Sequence, residues 1–366
     1  MPRPLAAVFR TRAARFIALT LAVLYPTALL ATLLTLRLVG ERWWVTTVAL
    51  YLPRLPFLVP LPFLLGALLL TSTSTPATGS SSLASPSRLP FWALLATSLP
   101  IFLALMGFVV ARPTSPDRSK PSLRVLSYNV NSTHGGSANV VAEIAKYSPD
   151  IVLLEEVGTR DPIAPLLRAR YPTVQAVDEF IVASRFPITS RVLPDKDHYF
   201  AKSARWMQQV IETPLGPVAL YIVHFQSPRE GLDAVRWGIR RDLLDGRPLA
   251  MGREGRVQHN AEMRALQVQA VAEAARSESD AVLIAGDTNL PSLSLILNRE
   301  LAGFQDGFTK AGWGFGYTFP TTRGDWMRID RMLANDKLRF VHFEVGDSPV
   351  SDHDCIVADL QRAPSP

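Results

Sequence analysis

The sequence predicts an α/β domain preceded by an α-helical transmembrane anchor, and three observations lead there. Two uncharged apolar runs, 16–36 and 89–111, lie in the first third of the 366 residues. A Ser/Thr/Pro-rich loop at 71–88 and a short polar linker at 112–121 flank the second run, and neither has the composition to bury a core. Beyond residue 122, short apolar strands alternate with helical stretches.

Each apolar run is long enough to cross a hydrocarbon core of about 30 Å as a helix rising about 1.5 Å per residue. Inside lipid the backbone must satisfy its own hydrogen bonds, which favours helix despite Pro26 and Pro100. Trp43, Trp44 and Trp92 lie near the ends of these runs, as interfacial anchors do. Between them, 45–70 is broken by Arg54 and by Pro53, Pro56, Pro60 and Pro62; a kinked third span is the first expectation and a re-entrant segment the second. The first run is too long for the apolar core of an ordinary signal peptide, and more membrane-like sequence follows it. The expected organisation is an anchor at 1–111 with spans near 16–38, 45–70 and 89–111, a linker at 112–121 and a second domain at 122–362. Arg3, Arg10, Arg12 and Arg15 favour a cytoplasmic N-terminus, which puts the second domain outside the plasma (inner) membrane. Arg112, Arg118, Lys120 and Arg124 pull the other way.

Residues 1–112 hold nine of the 38 Lys and Arg but only one of the 32 Asp and Glu, Glu41, leaving 29 basic against 31 acidic residues after them. The basic character of the chain is therefore N-terminal and gives no support to a nucleic-acid surface on the second domain. The single cysteine, Cys355, excludes an intrachain disulfide framework and any cysteine-rich zinc site.

In the second domain, strands are expected at 123–130, 150–155, 180–184, 206–213, 217–224, 281–285, 327–334, 340–345 and 356–360. The pair 206–213 and 217–224 forms a hairpin. A helix is expected at 138–146, and a longer amphipathic one at 257–275 places Ala261, Ala265, Val268, Val271 and Ala272 on one face. The alternation suggests two packed sheets flanked by helices; periodicity alone does not separate this from a single-sheet α/β fold.

Polar residues follow or precede these strands repeatedly: Tyr128-Asn129, Glu155-Glu156, His224, Asp287-Thr288-Asn289, Asp330 and Asp352-His353-Asp354. Loops at strand ends are where a rigid sheet presents reactive groups. Singly, each has a plainer reading: Asn and Asp are turn formers, Glu155-Glu156 a solvated strand end, His224 a hydrogen-bonded surface histidine. Together they form a set of hard oxygen donors without cysteine, which selects magnesium, manganese or calcium over zinc. Two histidines and an aspartate remain for proton transfer.

In chain order, SYNV at 127–130, PDIVLLEEV at 149–157, SRFP at 184–187, the His of VHF at 223–225, GDTN at 286–289, IDR at 329–331 and SDHD at 351–354 resemble the endonuclease/exonuclease/phosphatase (DNase I-like) superfamily. The resemblance covers about 240 residues and takes the form of a bacterial-type member with N-terminal transmembrane segments. It implies a four-layer α/β/β/α sandwich with the site at one end of the two sheets. It also implies Mg2+, with Mn2+ as a substitute, bound principally by Glu156, while Asn129 and Asp352 organise the metal site. Asp287 would position or deprotonate the attacking water, Asn289 would hold a phosphate oxygen, and His353, oriented by Asp330, would contact the phosphate. His224 would be the second histidine, acting on the phosphate or the leaving group. Asn131 stands where abasic-site endonucleases often carry aspartate, which argues against a second metal contribution there, and His224 follows the pattern of DNase-like and sphingomyelinase-like members rather than of abasic-site repair enzymes. Glu155 replaces the usual glutamine, with little effect expected. Arg205, Arg256 and Arg264 read as solvated charges rather than phosphate contacts.

The implied activity is hydrolysis of phosphodiester bonds by a membrane-anchored phosphoesterase, first of all a nuclease. The alternative is a lipid-headgroup phosphodiesterase or phosphatase, sphingomyelinase-like or phosphoinositide-directed. A non-catalytic binding module is a minor third. The partners are the phosphodiester substrate and the bilayer; no protein partner is inferable.

Overall fold

A computed structural model describes residues 12–72, 88–111, 115–158, 162–193, 205–244, 254–321, 324–347 and 349–364. Most of the loop at 71–88, the first residues of the 112–121 linker, and Arg3 and Arg10 lie outside them. The chain divides into two units, one of residues 1–39 and 52–108, the other of residues 40–51 and 109–366.

The first unit contains α1 (Arg12–Leu38), α3 (Pro60–Ser72) and α4 (Leu89–Met106). Ala18, Leu61, Leu68 and Leu94 form its interior, while Phe16, Val23, Phe63 and Trp92 stand exposed. Helices apolar on both faces suit a lipid surround. α1 and α4 are each long and apolar enough to cross a membrane. The intervening stretch splits into α2 (Trp44–Leu50) and a following helical segment, Leu55–Thr71. The prolines that interrupt it explain the break, and α2 belongs to the second unit.

The second unit runs β1 (Val109–Val110), β2 (Leu123–Asn129), α5 (Ser137–Tyr147), β3 (Ile151–Glu155), α6 (Ile163–Arg168), β4 (Thr173–Val177), β5 (Phe180–Ser184), β6 (Ile188–Val192), β7 (Trp206–Thr213) and β8 (Gly216–His224). It continues with α7 (Arg229–Leu244), α8 (Glu254–Arg276), β9 (Ala281–Asp287), α9 (Leu295–Glu300), β10 (Gln305–Asp306), α10 (Gly307–Ala311), β11 (Trp313–Gly314), β12 (Asp330–Ala334), β13 (Leu338–Val345) and β14 (Ile356–Arg362). Two six-stranded sheets result, ordered β13-β14-β2-β3-β5-β4 and β10-β12-β9-β8-β7-β6. That settles the choice between one sheet and two.

Strand parity builds the layers. Leu123, Val125, Ile151 and Leu153 point inward from one sheet and meet Val218, Leu220, Ile222, Leu283 and Met332 of the other. The alternate residues Leu126, Tyr128, Val152 and Leu154 point outward and pack on Val140 and Ile144 of α5 and Ile163 of α6. On the other side Tyr221, Val223, Val282 and Ile284 pack on Val268 and Val271 of α8. Period-two side-chain alternation with both faces covered gives the α/β/β/α sandwich.

Candidate active site

The same parity assembles the site. The inward row 123, 125, 127 of β2 ends on Asn129; that of β8 ends on His224, that of β9 on Asp287, and that of β12 begins at Asp330. β2 and β3 are parallel, with Asn129 opposite Glu155; β8 and β9 are parallel, with His224 opposite Asp287. Asp330 of antiparallel β12 sits opposite Asp287. All these residues therefore lie at one end of the sandwich, between the sheets.

Glu155 takes the inward position of β3, where Ser127 Oγ donates to its Oε1 at 2.8 Å. It is fully buried, not a solvated strand end, and burial pushes its carboxyl well above the usual range. Glu156 would face outward by parity, but its φ of 53° ends the strand and brings its carboxylate back to the site. A non-glycine residue in the left-handed region carries a local cost, a pattern found at functional positions.

Asn129 Nδ2 donates to Glu156 Oε1 at 3.1 Å and to Asp287 Oδ2 at 3.3 Å, linking the two sheets. Its Oδ1 accepts from the Asn131 N–H at 3.0 Å, which fixes the amide with its nitrogen toward the carboxylates. Asn129 thus organises Glu156 through its donor side. Asp287 is the hub: Asn289 Nδ2 donates to its Oδ2 at 3.1 Å, and the Nε2 atoms of His224 and His353 each stand 3.9 Å from that oxygen. Burial, and then the Asp330 charge, raise its carboxyl to about 6.

Burial opposes ionisation of Glu156, yet His224, at 3.2 Å from Oε1, outweighs it and holds the carboxyl down to about 2. His224 Nδ1 lies 3.2 Å from Glu179 Oε2, off the line of a hydrogen bond. Burial would lower the His224 pKa, but Glu156 and Glu179 raise it well above the ordinary histidine value. His353 Nδ1 is 3.0 Å from Asp330 Oδ2; burial disfavours its cation, and Asp330 overrides this to bring it to about 9. Thr318 Oγ1 donates to the same Asp330 oxygen, and the Phe319 ring lies 4.6 Å from the imidazole. Ser351 Oγ donates to the Asn129 carbonyl at 2.8 Å and accepts from the His353 N–H at 3.2 Å.

Asn289 spends its amide donors on Asp287 and on the Phe225 carbonyl, 3.0 Å away, so contact with a phosphate oxygen requires exchanging one of them. Asp352 stands outside the clustered donors, next to His353, and its charge adds to the rise in the imidazole pKa. Arg264 is fully buried rather than solvated. Arg205 bonds Gln226 at 3.1 Å, and Arg256 is exposed.

Among the described residues, two donor groups suit a metal: Glu156, His224 and Asp287, and Asp287, Asp330 and His353, each with ligand atoms within 4.8 Å of one another. Carboxylates dominate both, and Cys355 is buried elsewhere among the core residues of the outer layer. The donor chemistry fits a hard divalent cation.

A sequence model described as the Endonuclease/Exonuclease/phosphatase family matches residues 126–353, well over half of the chain. The chain belongs to that family. As a member of the endonuclease/exonuclease/phosphatase family it is a metal-dependent phosphoesterase. Among curated proteins none matches it. Solved structures similar to it include an endonuclease/exonuclease/phosphatase from Beutenbergia cavernae, 19% identical over 67% of this chain and 72% of that one, with a TM-score of 0.49. Another is a humanized TDP2 from D. rerio, 16% identical over 66% of this chain and 99% of that one, with a TM-score of 0.49. A third is the 3' phosphatase NExo from Neisseria bound to a product DNA hairpin, 15% identical over 64% and 98%, with a TM-score of 0.48.

Proposed function

We propose that the protein is a membrane-anchored, Mg2+- or Mn2+-dependent phosphodiesterase, with a nucleic-acid backbone as its first substrate class. One observation carries the reading: a buried carboxylate, Asp287, flanked by two histidines at 3.9 Å. Glu156 would be the principal ligand of the cation, with Asn129 and Asp352 organising it. The bound cation supplies charge neutralisation at the non-bridging phosphate oxygens. Asp287, with a carboxyl near 6, is ionised at neutral pH and still basic enough to take a proton from water. His353, held as a cation by Asp330, offers a charged donor to the phosphate, and His224, also 3.9 Å from Asp287, offers a second. Asn289 would hold a phosphate oxygen after releasing one of its present acceptors.

A lipid headgroup is the second reading. Its support is the near-balanced charge after residue 112 and the chain's passage between the apolar unit and the catalytic one at residues 39–40, 51–52 and 108–109. The basic N-terminus, of which Arg12 and Arg15 are described, supports a cytoplasmic start and an extracytoplasmic site in the plasma (inner) membrane.

The experiment is product analysis on purified full-length protein with magnesium, offering plasmid DNA, single-stranded RNA, sphingomyelin and phosphoinositides in parallel. Nicking that disappears in Asp287→Ala and His353→Ala supports the nuclease reading. Headgroup release with intact plasmid replaces it with the lipid reading. Inertness toward all four contradicts both.

A further inference from the structure

The catalytic unit includes a short piece of chain from between the apolar stretches, residues 40–51. Both ends of this piece are fastened by polar side chains. At one end Glu41, the only acid in the first 112 residues, is 4% exposed. Its carboxylate accepts from Ser294 Oγ and from the Leu295 N–H at 2.9 Å, at the start of α9. At the other end Tyr51 is 6% exposed, and its hydroxyl donates to the carbonyl of Asn289 at 2.9 Å. The same hydroxyl accepts from Arg264 Nη1 at 3.0 Å.

Arg264 is wholly buried on α8, and two further donors are spent close by. Nε donates to the Gln226 carbonyl at 2.6 Å, and Nη2 to Asn260, which in turn donates to the Ser227 carbonyl at 2.8 Å. Arg264 therefore grips the loop that follows His224, while Tyr51 grips the loop that follows Asp287. Their mutual hydrogen bond joins the two loops behind the site. A buried guanidinium is retained only where its donors are matched, and here the loop after β8, Asn260 and Tyr51 supply the acceptors. Asn289, the residue held, has φ of 51°, a conformation that needs support from its surroundings.

We propose that Tyr51 is a positioning residue for hydrolysis, its hydroxyl coupling Arg264 to the Asn289 backbone so that the loops after β8 and β9 keep a common geometry. This rests on the phosphodiesterase reading of the site. It makes a segment lying between apolar stretches part of the catalytic apparatus.

The test uses full-length protein carrying Tyr51→Phe, which keeps the ring and removes the hydroxyl. The expected result is a kcat about five- to tenfold lower on a phosphodiester, the range one net hydrogen bond carries, with KM within twofold. Hydrogen exchange should quicken at residues 286–293 and stay unchanged in the strands of the other sheet. Unchanged exchange at 286–293 overturns the proposal even if no substrate is turned over. A loss confined to thermal stability overturns it as well. A wild type inert with metal, with exchange altered as expected, instead counts against the phosphodiesterase reading while supporting the brace.

Discussion

Asp287 and Asp330 are register partners on antiparallel β9 and β12, and both carboxylates are buried in the space between the sheets. Two carboxylates side by side in low dielectric resist joint ionisation unless cations stand close by. His353 supplies one, at 3.0 Å from Asp330, while Asp287 lies 3.9 Å from each histidine. The pairing divides the labour: Asp330 fixes His353, and Asp287 faces the space between the two imidazoles.

Asp330→Asn should leave the fold intact and lower kcat by about 100-fold, the scale of a misplaced acid–base group. Asp330 is the main reason that His353 stays protonated up to about 9 against the opposing effect of burial. Losing its charge lowers the imidazole pKa, so the alkaline limb of the kcat–pH profile should move to lower pH. An unmoved limb would separate His353 from the proton-dependent step.

Glu155→Gln should raise stability at neutral and alkaline pH without loss of activity. The folded state holds the Glu155 carboxyl above its unfolded value of about 4.5 because it is buried. A raised carboxyl keeps its stability contribution below the unfolded pKa and loses it as pH rises toward the folded one. The Tm advantage of the glutamine variant should therefore be small at pH 4.5 and grow upward. An advantage that shrinks with pH would contradict the burial argument.

Glu156→Gln should raise the magnesium concentration for half-maximal binding by tenfold or more, read by calorimetry. Because His224 lies 3.2 Å from Glu156 and is held protonated by it, protons and metal compete at this carboxylate. Affinity should weaken as pH falls, and more steeply than in His224→Ala. Identical pH slopes in the two proteins would show that His224 does not compete.

Gly286→Ala should cost about 3 kcal/mol or prevent folding. A Cβ at Gly286 would meet the Val223 carbonyl oxygen at 2.0 Å, and the φ of 137° there is one that L side chains rarely adopt. Thermal unfolding of the variant measures the loss; a Tm equal to wild type would contradict the close approach of β8 and β9.

The central strands were legible because their apolar alternation is strong, and Asn129, His224, Asp287 and Asp330 because each extends an inward row. β4 and β6 escaped notice because they are sheet edges, half-exposed with mixed polarity, as in TVQAV and ITSRV. The plainer reading of Glu155 as a solvated strand end fails because β3 is covered on both faces, so its last residue does not reach solvent. Arg264 carried a usable signal: it follows Ala261 by three residues and precedes Val268 by four, which places it on the apolar face of α8. Glu41 carried another, as the only acid in a long apolar region. Tyr51 carried none, since its role arises from a contact with Asn289, 238 residues away in the chain.

The most direct test of an Asp287-centred hydrolytic site is the rate of cleavage of a simple phosphodiester against magnesium, for wild type and Asp287→Asn. A metal-dependent rate that falls by about a thousandfold in the variant, with the fold retained by circular dichroism, is the predicted result. Activity retained within tenfold in Asp287→Asn would contradict it and move the chemistry away from the carboxylate between the two histidines.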